Sequence, residues 1–218
     1  MIPVSPEQFT AAVTERLSLD VPREPQELFR GLGYPRPDAG DHTINEGQPA
    51  RPAAVLIPVV SRPEPTILLT QRSGDLPDHS GQIAFPGGKI DPGDATPLDA
   101  ALREAEEEIG LDRRHVRPLA YMPPFLSRTG YLITPVIGLV APPFELTINP
   151  REVVDAFEVP LAFLMDPKNH QRQSREWQGQ VRHFYAMPYG DRYIWGVTAG
   201  ILRNLWERLA DQETSGAA

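Results

Sequence analysis

The chain has 218 residues, of which 40% are hydrophobic, so it can bury one substantial core but is short for two full domains. A formal net charge of -8 argues against unspecific binding to nucleic acid, and the absence of cysteine excludes a disulfide framework, a zinc–cysteine site and a cysteine nucleophile. The N-terminus lacks a basic start followed by an apolar run, and no stretch approaches the roughly 18 apolar residues of a membrane span, so we expect a cytoplasmic protein without a membrane partner.

The N-terminal part predicts one short helix followed by an irregular segment. A capping-box pattern at residues 5–8 opens the helix. The residues after it are rich in Pro, Gly and Asp and show no sustained periodicity, so residues 1–50 are predicted to form a helix and a lead-in that pack on or flank the main domain. The domain itself is predicted to span residues 51–210, and residues 211–218 are predicted to be a disordered tail.

The first strands of the domain precede a glycine-rich loop. Residues 53–60 and 66–71 are strand-like runs separated by a proline-rich turn, which predicts a β-hairpin. Residues 83–85 predict a short strand, and residues 86–92 predict the glycine loop. A helix follows this loop.

The second half of the chain predicts further strands and a closing helix. The predicted strands cover residues 116–122, 131–140, 153–159, 182–187 and 193–195. Pro135 lacks a backbone N–H, so its strand is expected to be an edge or bulged strand, and Thr198 is predicted to cap the closing helix. These segments predict an α+β sandwich in which helices cover a mixed β-sheet.

The helix after the glycine loop has clear boundaries and a clear apolar face. Thr96 suits the N-cap, Pro97 suits the first helical position, and Gly110 supplies a left-handed stop. At about 100° per residue, five apolar side chains share one arc that can pack on a sheet. They are Leu98, Ala101, Leu102, Ala105 and Ile109.

A second arc of the same helix carries carboxylates. Glu104, Glu107 and Glu108 share an arc beside the apolar stripe, whereas Arg103 and Glu106 point further round. A solvated acidic face would explain charge runs in general, but here Glu104 and Glu108 place like charges at the i,i+4 spacing, where Lys would usually offset them. A divalent cation would turn this repulsion into ligation, and oxygen ligands suit Mg²⁺ or Mn²⁺.

An anionic substrate would need local positive charge in so acidic a chain. Arg72 and Arg128 are the arginines best placed by sequence to supply it. At Gly87 and Gly88, backbone amides could approach phosphate oxygens without an intervening side chain, although an ordinary turn would give the same glycine pattern.

Two stretches resemble a known family. The glycine loop followed by REAEEEIGL at residues 103–111 resembles the signature box of Nudix hydrolases. Upstream, LLTQRSGDLPDHSGQIAFPGG at residues 68–88 is similar to the second motif that marks the coenzyme A pyrophosphatase branch of that family. Asp94 replaces the glutamate of the general pattern, and one extra residue precedes Arg103, a lengthening common in this branch. Pro77 stands where the branch motif generally has arginine.

The resemblance implies an αβα Nudix sandwich and a hydrolase that uses Mg²⁺ or Mn²⁺ as its cofactor. Its implied substrate is coenzyme A or an acyl derivative, split at the pyrophosphate into 3',5'-adenosine bisphosphate and 4'-phosphopantetheine or its acyl form. The implied metal ligands are Glu104, Glu107 and Glu108, and the implied catalytic residues are Glu107, Glu108 and Arg103. The implied substrate contacts are Arg72, Ser73, Gly87, Gly88, Lys89 and Arg128.

Other interpretations remain open. The substrate could be another nucleoside diphosphate derivative such as ADP-ribose or NADH, because the loop and the carboxylates would bind only the part that these molecules share. A non-enzymatic nucleotide sensor is a more distant alternative, and a pocket kept only for binding would not need all three glutamates. Glu152 follows a turn and could be an additional ligand or base, but a cap or surface role is the favoured interpretation. We expect a monomer or homodimer with a small-molecule substrate as its partner.

Overall fold

The computed structural model describes residues 5–22, 50–74, 80–127, 129–177 and 179–210. The helices are α1 (Pro6–Arg16), α2 (Pro97–Ile109), α3 (Leu161–Leu164) and α4 (Val197–Ala210). The main sheet is formed by β1 (Arg51–Val60), β2 (Thr66–Arg72), β3 (Ile83–Ala84), β4 (Gly87–Lys89), β5 (Val116–Tyr121), β6 (Phe125–Leu126), β7 (Tyr131–Val140) and β8 (Val153–Pro160). A second sheet is formed by β9 (Gln171–Trp177), β10 (Gln180–Tyr189) and β11 (Arg192–Trp195).

The main sheet is mixed, as the sequence predicted. Its central path runs β3-β2-β1-β7-β5, with β4 paired to β1, β6 paired to β7 and β8 paired to β2. Strands β1 and β7 are parallel, and the other pairs are antiparallel. The predicted hairpin of residues 53–60 and 66–71 is confirmed as β1 and β2. Helices cover this mixed sheet, which confirms the predicted α+β sandwich.

Helix α2 packs on one face of the main sheet. The Thr96 hydroxyl accepts a hydrogen bond from the backbone N–H of Asp99, and Gly110 ends the helix with φ of 66°, as predicted. Ala101, Ala105 and the other residues of the predicted stripe pack in the core between the helix and the sheet. This burial fixes the rotation of α2 and therefore the direction in which its glutamates point.

The opposite face of the main sheet is covered by α1, α4 and residues of the second sheet. Phe9 and Val13 of α1 are fully buried there, and they share a core with Ile201 and Leu205 of α4. Ser5 caps α1 by accepting from the backbone N–H of Gln8. No helix within the described ranges has both the length and the apolar character needed to cross a bilayer.

Two local expectations were wrong and a third was met only in part. The strand with Pro135 is not an edge strand, because β7 lies between β1 and β5, but its pairing with β5 shifts register between Pro118 and Ala120, in agreement with the bulged alternative. Proline is tolerated there because β5 has ended at that point, and the Pro135 carbonyl accepts from the backbone N–H of Met122 at 2.9 Å. Thr198 lies inside α4 and donates to the carbonyl of Ile83 at 2.9 Å instead of capping the helix. The predicted glycine loop contains β4, which pairs with β1.

Candidate metal and active site

Two glutamates of helix α2 point toward the sheet. Glu108 is 2% exposed, and the Glu104 side chain, one turn earlier, is 16% exposed. Both lie beside the apolar stripe, so packing of the helix on the sheet carries their carboxylates inward. The sequence predicted this position for both residues.

Glu152 brings a third carboxylate to the pair. Single carboxylate oxygens of Glu104, Glu108 and Glu152 all lie within 4.8 Å of one another, and no other such acidic group of three is found in the described ranges. Glu152 ends a turn whose Asn149 N–H donates to the carbonyl of Glu108 at 2.9 Å, which ties the turn to α2. The Ser73 N–H donates to the carbonyl of Glu152 at 2.8 Å, which ties the turn to the end of β2. The geometry therefore favours the ligand or base role for Glu152 over the cap or surface role.

Glu107 does not converge with this group, contrary to the sequence-based expectation. Its side chain is 54% exposed, and its carboxylate accepts from Arg103 Nη1 at 3.0 Å. The same Arg103 nitrogen donates to Glu104 at 3.0 Å, so Glu107 lies at the solvent side of the cluster, next to Glu104. The carboxylate cluster is defined here as Glu104, Glu108 and Glu152.

The arginines beside the buried carboxylates do not offset the effect of burial on the carboxylate pKa values. Burial raises the pKa of Glu108 to about 8, and the nearby negative charges of Glu104 and Glu152 add to this effect. The Gly87 N–H at 3.2 Å and the Arg72 guanidinium at 3.5 Å act in the opposite direction and lower that pKa. The pKa of Glu104 is also raised, chiefly by burial.

This donor set fits a divalent cation. Three carboxylates within 4.8 Å of one another provide only hard oxygen donors, which are the donors preferred by Mg²⁺ and Mn²⁺. A cation would relieve the repulsion and the burial cost that raise the pKa values of Glu104 and Glu108. The chemistry of the site therefore agrees with a role as a metal centre.

Arg103 connects the helix to the loop before it. Its guanidinium donates to both carboxylate oxygens of Asp94, at 2.9 and 3.1 Å, and to the carbonyl of Lys89 at 3.1 Å. It also donates to Glu104 and Glu107, each at 3.0 Å. Helical phase had placed Arg103 away from the glutamates, but its long side chain reaches back to them. Arg103 thus orients the carboxylate of Glu104 while being fixed by Asp94.

The two glycines of β4 serve close packing. A Cβ on Gly87 would lie 2.5 Å from the carbonyl oxygen of Ala54, and a Cβ on Gly88 would lie 2.5 Å from the carboxyl carbon of Glu104. The Gly87 N–H is already bonded to Glu108. The expectation that Gly87 offers its amide to a phosphate therefore does not match the structure. Both glycines make room for the glutamates and the adjacent strand.

The other predicted substrate contacts surround the cluster to different extents. Arg72 lies at the end of β2 and approaches Glu108 directly, and the adjacent Ser73 is buried. Lys89 is exposed at the end of β4. Arg128 and Pro77 lie outside the described residues.

Comparison with known proteins agrees with this geometry. A sequence model of the NUDIX domain matches residues 50–178. Proteins named as the uncharacterized Nudix hydrolase NudL are 42% identical to this chain, over 159 residues in Photorhabdus laumondii and over 170 residues in Escherichia coli. The first alignment covers 73% of this chain and 85% of the relative, and the second covers 78% and 86%.

Solved structures of the same family were also found. The NUDIX domain of Shewanella oneidensis NrtR, complexed with ADP ribose, matches with a TM-score of 0.48 and 16% identity over 78% of this chain and 96% of that one. The domain match and the 42% identical relatives by themselves make the classification clear. The chain belongs to the Nudix hydrolase family.

Proposed function

We propose that this Nudix hydrolase cleaves the pyrophosphate of coenzyme A or its acyl derivatives, giving 3',5'-adenosine bisphosphate and 4'-phosphopantetheine or its acyl form. The observation that carries the proposal concerns residues 68–88, the stretch similar to the coenzyme A branch motif. Arg72 near its start lies 3.5 Å from Glu108, and Gly87 near its end donates to the same carboxylate at 3.2 Å. The stretch that resembles the branch motif therefore borders the candidate metal centre from two sides.

The carboxylate cluster is proposed to hold Mg²⁺ or Mn²⁺ through Glu104, Glu108 and Glu152, with Glu107 as a further ligand from the solvent side. When bound, such a cation neutralises charge on the diphosphate and makes its phosphorus more electrophilic. Water attacks one phosphorus, the bridging phosphorus–oxygen bond breaks, and a carboxylate of the site accepts the proton of the water. No covalent intermediate with the protein is required.

Other residues are proposed to bind the substrate or to orient the carboxylates of the site. Arg72 provides a guanidinium beside the cluster, where it can pair with a diphosphate oxygen. The substrate is also proposed to contact four residues around the same edge, which are Ser73, Gly88, Lys89 and Arg128. Arg103 acts through Glu104 and Glu107 and is therefore a positioning residue.

The test is a direct comparison of substrates. With Mg²⁺ or Mn²⁺ present, the protein is offered coenzyme A, ADP-ribose and NADH separately, and the products are separated by chromatography. We expect the highest kcat/KM with coenzyme A, loss of turnover with a chelator, and recovery when either ion is added back. A higher kcat/KM for ADP-ribose or NADH would assign the protein to another Nudix substrate class. Nucleotide binding without turnover of any of the three would favour the sensor.

A further inference from the structure

A polar cleft lies between the main sheet and the second sheet. Its volume is about 610 Å³, which is within the range of small-molecule binding sites. Five of its lining residues, Gln71, Ser80, Gly81, Gln82 and Ile83, belong to residues 68–88, the stretch that resembles the branch motif. The opposite wall is formed by the β10–β11 hairpin and includes Arg192, Tyr193 and Trp195.

The hairpin wall comes from a part of the chain beyond the general family domain. The NUDIX match ends at residue 178, whereas this wall begins at Asp191. The cleft thus combines the stretch that resembles the branch motif with a wall that the domain match does not include. Such a combination is suited to distinguishing one substrate of the family from another.

The cleft and the carboxylate cluster lie on two sides of one strand. Gln71 and Arg72 are consecutive in β2, and the register of β2 against β8 shifts between them. Gln71 contacts Arg192, whereas Arg72 approaches Glu108. A ligand held at the cluster must therefore extend past the end of β2 to reach the cleft. The pantetheine arm of coenzyme A is about as long as three to four extended residues, or roughly 12 Å, so it is an extended group suited to such a path.

The charges of the cleft disfavour a phosphate. Its charged lining residues are Asp155, Asp191 and Arg192, which sum to a formal charge of -1. Arg192 is already engaged by Asp155 at 2.6 Å and by the side-chain oxygen of Gln71 at 2.9 Å, and it stacks on the ring of Phe157. A 3'-phosphate placed here would meet an acidic lining without a free partner arginine in this set.

The chemistry of the lining fits a neutral, hydrogen-bonding chain. The side-chain amides of Gln71 and Gln82 and the carboxylate of Asp155 can exchange hydrogen bonds with amides and hydroxyls. Tyr193 and Trp195 provide apolar surface for methylene and methyl groups. A pantetheine arm has two amides, one hydroxyl and no charge.

We propose that the cleft between the β2–β3 end of the main sheet and the β10–β11 hairpin binds the pantetheine arm of the substrate. This inference rests on the proposed function, since it assigns one half of coenzyme A to a particular surface. The adenosine half, with its additional phosphate, is then directed away from the hairpin wall.

The test measures binding of free pantetheine, which has no phosphate and needs no metal. Trp195 lines the cleft, so pantetheine should change the tryptophan fluorescence saturably in the presence of chelator, and Trp195→Phe should remove that change. Tyr193→Ala should weaken the affinity at least about fivefold by removing apolar contact area. Val181→Ala, an exposed position on β10 outside the cleft lining, should leave the affinity unchanged.

Each result has a defined meaning. If 3',5'-adenosine bisphosphate changes the Trp195 signal and pantetheine does not, the cleft binds the nucleotide half and the proposal is wrong. If neither compound changes it, the proposal is equally wrong, even when coenzyme A is hydrolysed and the proposed function stands. If pantetheine binds as expected but coenzyme A is not hydrolysed, the proposed function fails and the assignment of the cleft to a neutral amide chain is retained.

Discussion

Substitution of Glu108 by glutamine should stabilise the metal-free protein at alkaline pH. Burial raises the pKa of this carboxyl from 4.5 to about 8, so ionising it in the folded state is unfavourable. The difference of about 3.5 units, at about 1.36 kcal/mol per unit, gives an upper limit of about 5 kcal/mol. Glutamine has no charge to bury, and its side-chain oxygen can still accept from the Gly87 N–H.

The sign of the pH dependence follows from the raised pKa. Below about pH 4.5 the carboxyl is protonated in both the folded and the unfolded chain, and its favourable contribution is complete. Above about pH 4.5 the carboxyl of the unfolded chain ionises while that of the folded chain stays protonated, so the contribution decreases. It is lost once pH has risen through about 8 and the folded carboxyl ionises as well. In urea unfolding with chelator, the stability advantage of Glu108→Gln over wild type should therefore grow between about pH 5 and 8.5.

Glu106→Gln is the matched control on the same helix. Glu106 is bonded to Arg113, which lowers the pKa of this carboxyl, so its stabilising contribution is lost only as pH falls into the acid range. Its difference from wild type should stay constant from pH 6 to 8.5. Added Mg²⁺ should stabilise wild type and Glu106→Gln but have much less effect on Glu108→Gln. Parallel pH curves for wild type and Glu108→Gln would show that Glu108 ionises normally and would refute the buried-cluster interpretation.

Four further substitutions test how the site is held. Gly88→Ala would place a methyl group against the end of the flexible Glu104 side chain. Mg²⁺ affinity in titrations should therefore fall by at least about tenfold, while the urea midpoint changes little. A large loss of stability instead would mean that the backbone of β4 cannot adjust. Arg103→Lys keeps the charge but loses the bidentate hydrogen bonds to Asp94, so kcat should fall by about 10-fold or more while the fold is unchanged. An unchanged kcat would exclude a positioning role. Glu104→Gln removes a proposed cluster ligand and should lower kcat/KM by about 100-fold or more. Glu107→Gln should lower kcat/KM less, because Glu107 lies on the solvent side of the cluster. The reverse order would place the metal on the solvent side of the helix.

The helix and its buried face could be predicted because they depend on local rules. Thr96, Pro97 and Gly110 define the ends of α2 by capping and backbone preference, and the 3.6-residue period selects the buried side. The inward direction of Glu104 and Glu108 follows from that period. The same reasoning failed for Glu107, because the arc that contains it is wide and its outer edge remains in solvent.

The strand pairing of the glycine segment was not accessible from local pattern. Gly87 and Gly88 indicate that side chains are excluded, but the pattern does not say by what. Side chains are excluded at these positions because β4 pairs with β1 and because Glu104 lies close by. Both are contacts with distant parts of the chain. A glycine that makes room for a carboxylate and a glycine that admits a phosphate have the same appearance in a sequence.

The position of Glu152 shows how long-range pairing completes the site. It is 44 positions after Glu108 and lies outside any local motif, and it reaches the cluster because β8 pairs with β2 and the pairing shifts register between Gln71 and Arg72. A register change of one residue would reverse the face on which each strand side chain lies. The hydrogen bonds from Asn149 to Glu108 and from Ser73 to Glu152 fix this register at the point where it determines which carboxylates meet. The carboxylate cluster is thus a joint product of helical phase, which the sequence specifies locally, and sheet register, which only the folded chain defines.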